Sequence, residues 1–319
     1  MNWHVFAFLM ALAISYLATP SVRGLALRLN VLVPPGGRRV HTQPMPLWGG
    51  VAIYGAFTLT SLLVMRFGAP QSSLQIPIVG VIVSGALILT VGLIDDMRDI
   101  GAGMQAAAII CGGIILMTFG VRIQFLSNPF GDPPILALGK FVSWLVTLLW
   151  IFGVTKTVDL MDGLDGLAAG IGAIAAGILA IMAYYSAQPH VVLMAAALSG
   201  ACIGFLRFNF NPAKIFMGTG GSQFVGFALA AISIIGAFKV AAAMAIALPI
   251  LVFGVPIFDG FFVVLKRILN RRPVHVADRS HLHHRLLAKG LTHKQVVLVI
   301  YVICLAFGGT ALALFWLCR

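Results

Sequence analysis

Apolar runs alternate with short polar segments along the whole chain. The runs cover about 3–19, 48–67, 76–94, 104–119, 141–154, 167–185, 190–206 and 224–238; another follows Lys239 to about 265, and the last is 296–317. Most approach the ~20 residues that a helix needs to cross a bilayer. The pattern predicts an all-α polytopic membrane protein of about ten transmembrane helices, forming one domain over 1–319. The ninth run holds Pro249, Pro256 and Asp259, which predicts a broken or kinked helix. An Asp inside a span is a functional candidate by default. The first run has no basic segment before it, so it reads as an uncleaved span and not as a signal peptide.

Composition agrees. Mean hydropathy is +1.03 and only 9% of residues are charged, against about 25% in a soluble domain. The net charge of +12 admits two explanations, nucleic acid or the positive-inside rule, and position separates them. The loops after the first, third, fifth, seventh and ninth spans can be assigned to the cytoplasm. All Lys and Arg then fall in those loops except Arg66, Arg122, Lys140, Lys239 and Arg319. This asymmetry orients the chain with both termini periplasmic and accounts for the charge without nucleic acid. Cys111, Cys202, Cys304 and Cys318 form no CxxC pair and read as packing residues.

All nine acidic residues are Asp, and all but Asp132 and Asp259 lie in the segments assigned to the cytoplasm. That distribution points to chemistry and not to solvation. Asp159, Asp162 and Asp165 recur at a spacing of three between two apolar runs. A carboxylate at membrane depth costs at least ~2.5 kcal/mol even on the mildest scale, so three together call for a cation or a metal-bound phosphate. With Gly163 and Gly166 they predict a tight loop that opens into a helix near Leu167, whose positive N-terminal end faces the ligand. The plainer alternative is that Asp162 and Asp165 only cap that helix.

Three further motifs fall on the same side. Asp95, Asp96 and Asp99 end the third span; such a cluster can hold Mg²⁺ through one or two oxygens, or can be an interfacial helix end with Arg98 as counter-ion. The stretch from Arg207 to Ser222, which contains Gly218-Thr219-Gly220-Gly221, suits an anionic group or forms a plain loop. On a helix His281, His284 and Arg285 share a face, giving a phosphate clamp or a solvated basic face; a zinc site lacks the usual spacing.

The chain resembles the polyprenyl-phosphate N-acetylhexosamine-1-phosphate transferases of glycosyltransferase family 4. The matching elements are Arg38-Arg39-Val40-His41, Asp95-Asp96, Asp162-Gly163-Leu164-Asp165-Gly166-Leu167, Asn211-Pro212-Ala213-Lys214-Ile215-Phe216-Met217-Gly218, Pro256-Ile257-Phe258-Asp259 and His281-Leu282-His283-His284. They occur in family order over nearly the whole chain. The ending Asp278 to Leu287 looks like the UDP-N-acetylglucosamine branch. The resemblance implies transfer of a sugar-1-phosphate from a UDP-sugar to polyprenyl phosphate, drawn from the membrane lipid, with UMP released. This would be the first membrane step of an envelope polysaccharide, at the cytoplasmic face of a bacterial inner membrane. It implies catalytic roles for Asp95, Asp96, Asp162 and Asp165. Substrate binding would fall to Arg38, His41, Lys156, Asn211, His281, His283, His284 and Arg285. Mg²⁺, with Mn²⁺ as a substitute, would be held by Asp95, Asp159 and Asp162. A homodimer is compatible with it.

The departures from the family pattern are specific. The family usually has Asp where Thr219 stands, Lys near Gln105, and Asn at both Lys156 and Asp159. Two changes look reciprocal: a Lys is lost at 105 and one stands at 156, and an Asp is lost at 219 and one stands at 159. A rearranged active site and an inactive homologue that binds lipid phosphate or nucleotide sugar both fit this pattern. A transporter should carry its charges near mid-bilayer within inverted repeats, and the sequence shows neither.

Overall fold

The computed structural model describes residues 2–34, 44–67, 75–127, 135–236, 247–269 and 282–317. The candidate residues Arg38, His41 and His281, with Arg39, Asp132, Asp278 and Arg279, lie outside them. Twelve helices are described: α1 Trp3–Arg28, α2 Gly49–Phe67, α3 Gln75–Arg98, α4 Ala102–Thr118, α5 Lys140–Leu160, α6 Leu167–Tyr185, α7 Pro189–Asn209, α8 Gly218–Ile235, α9 Ala247–Val252, α10 Gly254–Leu269, α11 Leu282–Ala288 and α12 His293–Leu317. Two antiparallel pairs of very short strands, β1 Leu32–Val33 with β2 Met45–Pro46 and β3 Phe125–Ser127 with β4 Ile135–Ala137, sit in connections where the hydropathy pattern shows only loops.

Eight helices are long and apolar enough to cross a membrane: α1, α2, α3, α5, α6, α7, α8 and α12. The other two expected crossings are less regular. Helix α4 has 17 residues, the short end of the spanning range. The ninth run divides into α9 and α10, with a Pro near each start, as the prolines at 249 and 256 predict. Helix α5 runs further than its apolar run suggests, to Leu160. Lys156 and Asp159 therefore stand on its last turns, and the predicted Asp loop starts only after them.

Helix α8 is the axis of the bundle. It contacts α2, α3, α4, α5, α6 and α7, and 89% of its span is buried inside the protein. A helix apolar on every side belongs in such a position. Small residues let its neighbours come close, because helix association in a membrane relies on packing more than on a hydrophobic drive. At its foot Gly220 lies on Gly92 of α3 and Gly221 on Gly50 of α2, backbone against backbone; higher up, Gly226 meets the backbone of Thr155 on α5. The same device joins α1 to α7: Gly200 and Gly204, a readable G-x-x-x-G, lie against the backbone of Phe8 and Leu12. The foot is also stitched to the start of α2. Phe216 N–H donates to Pro46 O (2.8 Å), Gly49 N–H to Phe216 O (2.9 Å) and Gly50 N–H to Met217 O (2.8 Å).

The two ends of the bundle differ. At one end His4 and Tyr184 rings approach to 5.2 Å, and Tyr185 and Trp316 to 4.6 Å, as in an aromatic belt at a membrane interface. The start of α1 and the end of α12 thus both meet the end of α6. The start of α6, at the opposite end, is where the Asp loop lies.

The glycine contacts generate a stability test. Gly220→Val and Gly92→Val would drive a side chain into backbone, which cannot yield as a flexible side chain can, so each should cost at least the ~1–3 kcal/mol of ordinary overpacking. Gly153, on α5, has nothing within 4 Å of an added Cβ, so Gly153→Ala should be neutral or stabilising. Thermal unfolding in detergent reads the difference; a Gly220→Val protein as stable as wild type would contradict the packing described.

Candidate active site

The Asp loop is built by its two flanking helices. Helix α5 ends with Met161 N–H donating to the Thr157 and Val158 carbonyls, and Asp162 N–H donates to Asp159 O at 3.1 Å. Gly166, at φ +81°, turns the chain into α6, a left-handed conformation that glycine adopts without strain. Two side chains from distant elements hold the turn. Asn209 Oδ1 accepts from Gly166 N–H (3.0 Å) while its Nδ2 donates to Ile215 O (3.0 Å), and the Tyr301 hydroxyl donates to Gly166 O (2.6 Å).

Asp165 is buried, at 4% exposure. Its Oδ2 accepts from Asn211 Nδ2 (2.9 Å) and from Ala213 N–H (3.0 Å), which ties the Asp loop to the segment that leads into α8. The alternative in which Asp165 merely caps α6 is therefore replaced by a longer link, 46 residues along the chain. Asn211 serves this link and lies behind the cavity wall.

Asp95 and Asp96 stand at the end of α3, which stops at Arg98; Asp99 follows with φ +48°. Asp95 Oδ1 accepts from Ile100 N–H (3.2 Å) and Oδ2 from Gln105 Nε2 (2.8 Å). Asp96 Oδ1 accepts from Thr219 N–H at the foot of α8 (2.9 Å). Its other oxygen, Oδ2, is buried with no hydrogen-bond donor among the described residues, an arrangement that costs free energy unless a positive partner binds there.

Asp159 is fully engaged. Lys156 Nζ reaches its Oδ2 at 2.9 Å, Gln223 Nε2 the same oxygen at 3.2 Å, and Ser222 Oγ donates to Oδ1 at 2.5 Å. Lys156 also donates to Gln105 Oε1 at 2.8 Å, and Gln223 to that oxygen at 3.0 Å.

These groups converge on one cavity of about 500 Å³, lined by Asp95, Asp96, Asp99, Asp159, Asp162 and Asp165 together with Gly163, Gly218, Thr219, Ser222 and the β1 segment Leu32 to Pro34. It gathers the far ends of α3, α5 and α7 and the near ends of α6 and α8. Lys156 stands outside the lining, in the second layer.

The His motif is placed by a helix cap. Asp259 Oδ1 accepts from Leu282 N–H (2.7 Å), at the start of α11, as an N-cap carboxylate does. The broken ninth run thus supplies an anchor for α11. Arg285 adds a second tether, its guanidinium 5.1 Å from the Phe262 ring centroid. His283 is buried against Gly163 of the Asp loop, and its ring lies 4.2 Å from that of His284.

Carboxylate oxygens suit a hard divalent cation, and the bare Asp96 Oδ2 and the cavity-lining Asp162 fit one. Among the described residues no three His, Cys, Asp or Glu side chains are grouped closely enough to hold a metal by themselves. Mg²⁺ does not need three, since it usually takes one or two carboxylates and completes its shell with water and substrate phosphate. Asp159 fits poorly, because a cation and two further donors already occupy its oxygens.

Several residues of this site escape a reading by motif. Gln223 and Tyr301 are single polar residues in or beside apolar runs, the only available signal, while Asn209 and Ser222 lie within the glycine-rich stretch but carry no side-chain role in its reading. Gln105 stands out only as a departure from the family pattern.

Residues 78–237 match the sequence model of glycosyl transferase family 4, a stretch that includes Asp95, Asp96, the Asp loop and the glycine-rich foot of α8. The chain is 35% identical to a probable undecaprenyl-phosphate N-acetylglucosaminyl 1-phosphate transferase of Bacillus subtilis, over 97% of this chain and 84% of the relative. It is 36% identical to the decaprenyl-phosphate N-acetylglucosaminephosphotransferase of Mycobacterium tuberculosis, over 95% and 81%. A phospho-N-acetylmuramoyl-pentapeptide-transferase of Halalkalibacterium halodurans is 29% identical over 97% and 95%. With the family match covering the acidic cavity and similarity extending over nearly the full length, the chain belongs to glycosyl transferase family 4.

Proposed function

We propose that the chain transfers N-acetylglucosamine-1-phosphate from UDP-N-acetylglucosamine to a polyprenyl phosphate at the cytoplasmic face of a bacterial inner membrane, releasing UMP. The observation that carries this reading is the cavity of six Asp at one end of an apolar bundle, in a chain similar to two N-acetylglucosamine-phosphate transferases. In the reaction an oxygen of the lipid phosphate bonds to the sugar-linked phosphorus of the donor. The bond from that phosphorus to the bridging oxygen breaks, and UMP leaves with the electron pair.

Such a step needs positioning and charge neutralisation more than covalent help. Both substrates are anionic, and so is the cavity. Bound Mg²⁺, or Mn²⁺, would neutralise charge on the diphosphate, held by Asp96 and Asp162. Asp95, fixed as an acceptor by Ile100 N–H and Gln105, would orient the lipid phosphate or take its proton. The Thr219 N–H fixes one Asp96 oxygen and so aims the other. His283 braces the Asp loop from behind, leaving His284 and Arg285 on the same short helix to meet the donor phosphates. Of the three metal ligands implied by the resemblance, Asp162 keeps that role; Asp95 is held by Ile100 N–H and Gln105, and Asp159 by Lys156, Gln223 and Ser222, so Asp96 takes their place.

A binder without turnover is the second reading, favoured by the uncharged Thr219 on the cavity wall. Purified protein with polyprenyl phosphate, Mg²⁺ and a panel of UDP-sugars separates the two. Release of UMP is expected with UDP-N-acetylglucosamine. Asp95→Asn, Asp96→Asn and Asp162→Asn should each lower turnover at least ~100-fold while the protein still folds, since one preorganised charge contact is worth several kcal/mol. If wild type is silent and Thr219→Asp alone switches release on, the chain is a degenerate relative.

Orientation has its own test. In a background without the native cysteines, Lys289→Cys at the cavity end should react with an impermeant thiol reagent only after cells are opened. Ser186→Cys, in the turn after α6, should react in intact cells. The reverse pattern would place the cavity on the outer face.

A further inference from the structure

We propose that Lys156 is a positioning residue that sets the cavity from behind its wall, orienting Asp95 through Gln105 and keeping Asp159 away from the metal. The proposal rests on the transferase reading above, but its central measurement does not require turnover.

The first arm is the orientation of Gln105. Its Oε1 accepts from Lys156 Nζ (2.8 Å) and Gln223 Nε2 (3.0 Å), so its Nε2 faces Asp95 Oδ2 (2.8 Å). Flipping the amide would turn its NH₂ toward an ammonium and another amide donor, and would present a carbonyl oxygen to a carboxylate. An ammonium carries donors only, so it admits one orientation of the amide. Lys156, the closer and charged of the two donors, thus acts with Gln223 to fix which end of Gln105 meets Asp95, two hydrogen bonds away.

The second arm is the ion pair. Lys156 and Asp159 are three apart on the last turns of α5, with side chains 22% and 16% exposed. Asp159 lines the cavity, yet its charge is balanced on its own helix and its oxygens are held by Lys156, Gln223 and Ser222. Partial burial screens this pair less than a surface pair. Removing the ammonium would release an uncompensated carboxylate beside Asp96 and Asp162, where an incoming divalent cation is the nearest source of positive charge.

The two arms make opposite demands on Lys156→Met, and this separates positioning from a bulk structural role. Losing the amide restraint should lower kcat by ~10–100-fold, the range of coupling between contacting residues, while KM for UDP-N-acetylglucosamine stays within ~3-fold. Losing the cation should tighten Mn²⁺ binding by ~10-fold, read by electron paramagnetic resonance on the substrate-free protein, as expected when a repelling charge leaves and a carboxylate is freed. Lys156→Met with Asp159→Asn should return Mn²⁺ affinity to the wild-type level. Gln105→Met breaks only the first arm, so it should lower kcat and leave Mn²⁺ affinity unaltered. Lys156→Arg retains the charge and should retain the wild-type Mn²⁺ affinity.

Weaker or unchanged Mn²⁺ binding in a folded Lys156→Met protein overturns the proposal, as does undiminished kcat in Gln105→Met. If Lys156→Met does not fold, Gln105→Met carries the first arm; Lys156→Arg carries the second, and an Mn²⁺ affinity unlike wild type then counts against it. If wild type releases no UMP from any UDP-sugar, the transferase reading fails by itself, and the Mn²⁺ titrations still decide whether Lys156 governs Asp159.

Discussion

Backbone meets backbone at the foot of α8, and the cavity depends on that contact. Gly220 against Gly92 and Gly221 against Gly50 bring three helix ends closer than any side chain would allow. Only at that approach can the Thr219 N–H reach the Asp96 carboxylate at the end of α3. The same approach lets Gly49 and Gly50 donate to the carbonyls of Phe216 and Met217. Helix α8 must then be wholly enclosed, which its run of Gly, Ala, Ser and apolar residues permits. In lipid, where apolar side chains gain little by leaving their neighbours, such contacts replace the hydrophobic drive of a soluble core.

Much of this was legible because the signals are local. A bilayer crossing is a run of about twenty apolar residues, so α2, α3, α6, α7 and α12 stand near where hydropathy places them; α1 begins as expected but continues nine residues past its apolar run, to Arg28. The turn at Gly166 follows from a glycine between Asp165 and an apolar run, and Pro249 and Pro256 mark the interrupted ninth run. What remained hidden depends on partners far along the chain. Asp259 stands out as a functional candidate because hydropathy shows its depth but not Leu282, whose N–H it caps. Only the resemblance places Lys156 among the substrate-binding residues; its partner Gln105 is 51 residues away, and nothing local points to it. Helix α5 outran its apolar segment because Lys156 and Asp159 satisfy one another at i and i+3, which lets a helix continue through polar sequence.

The reciprocal departures from the family pattern meet in one place. Gln105, Lys156 and Asp159 belong to a single hydrogen-bonded cluster, and Ser222, three residues after Thr219, donates to Asp159 within it. One basic and one acidic group are present at positions 156 and 159, as one of each would be at 105 and 219. The local charge is therefore the same, drawn onto adjacent turns of one helix.

Position 219 also contributes through its backbone. Asp96 receives from it an N–H, available from any residue but proline, and the Thr219 side chain adds a second contact. Replacing a carboxylate there with a hydroxyl removes a negative charge from the wall but leaves the backbone bond to Asp96 intact. What holds that N–H in place is the glycine contact between α8 and α3. The chemistry of the cavity can thus change at 219 while its geometry persists, provided Gly92 and Gly220 do not change.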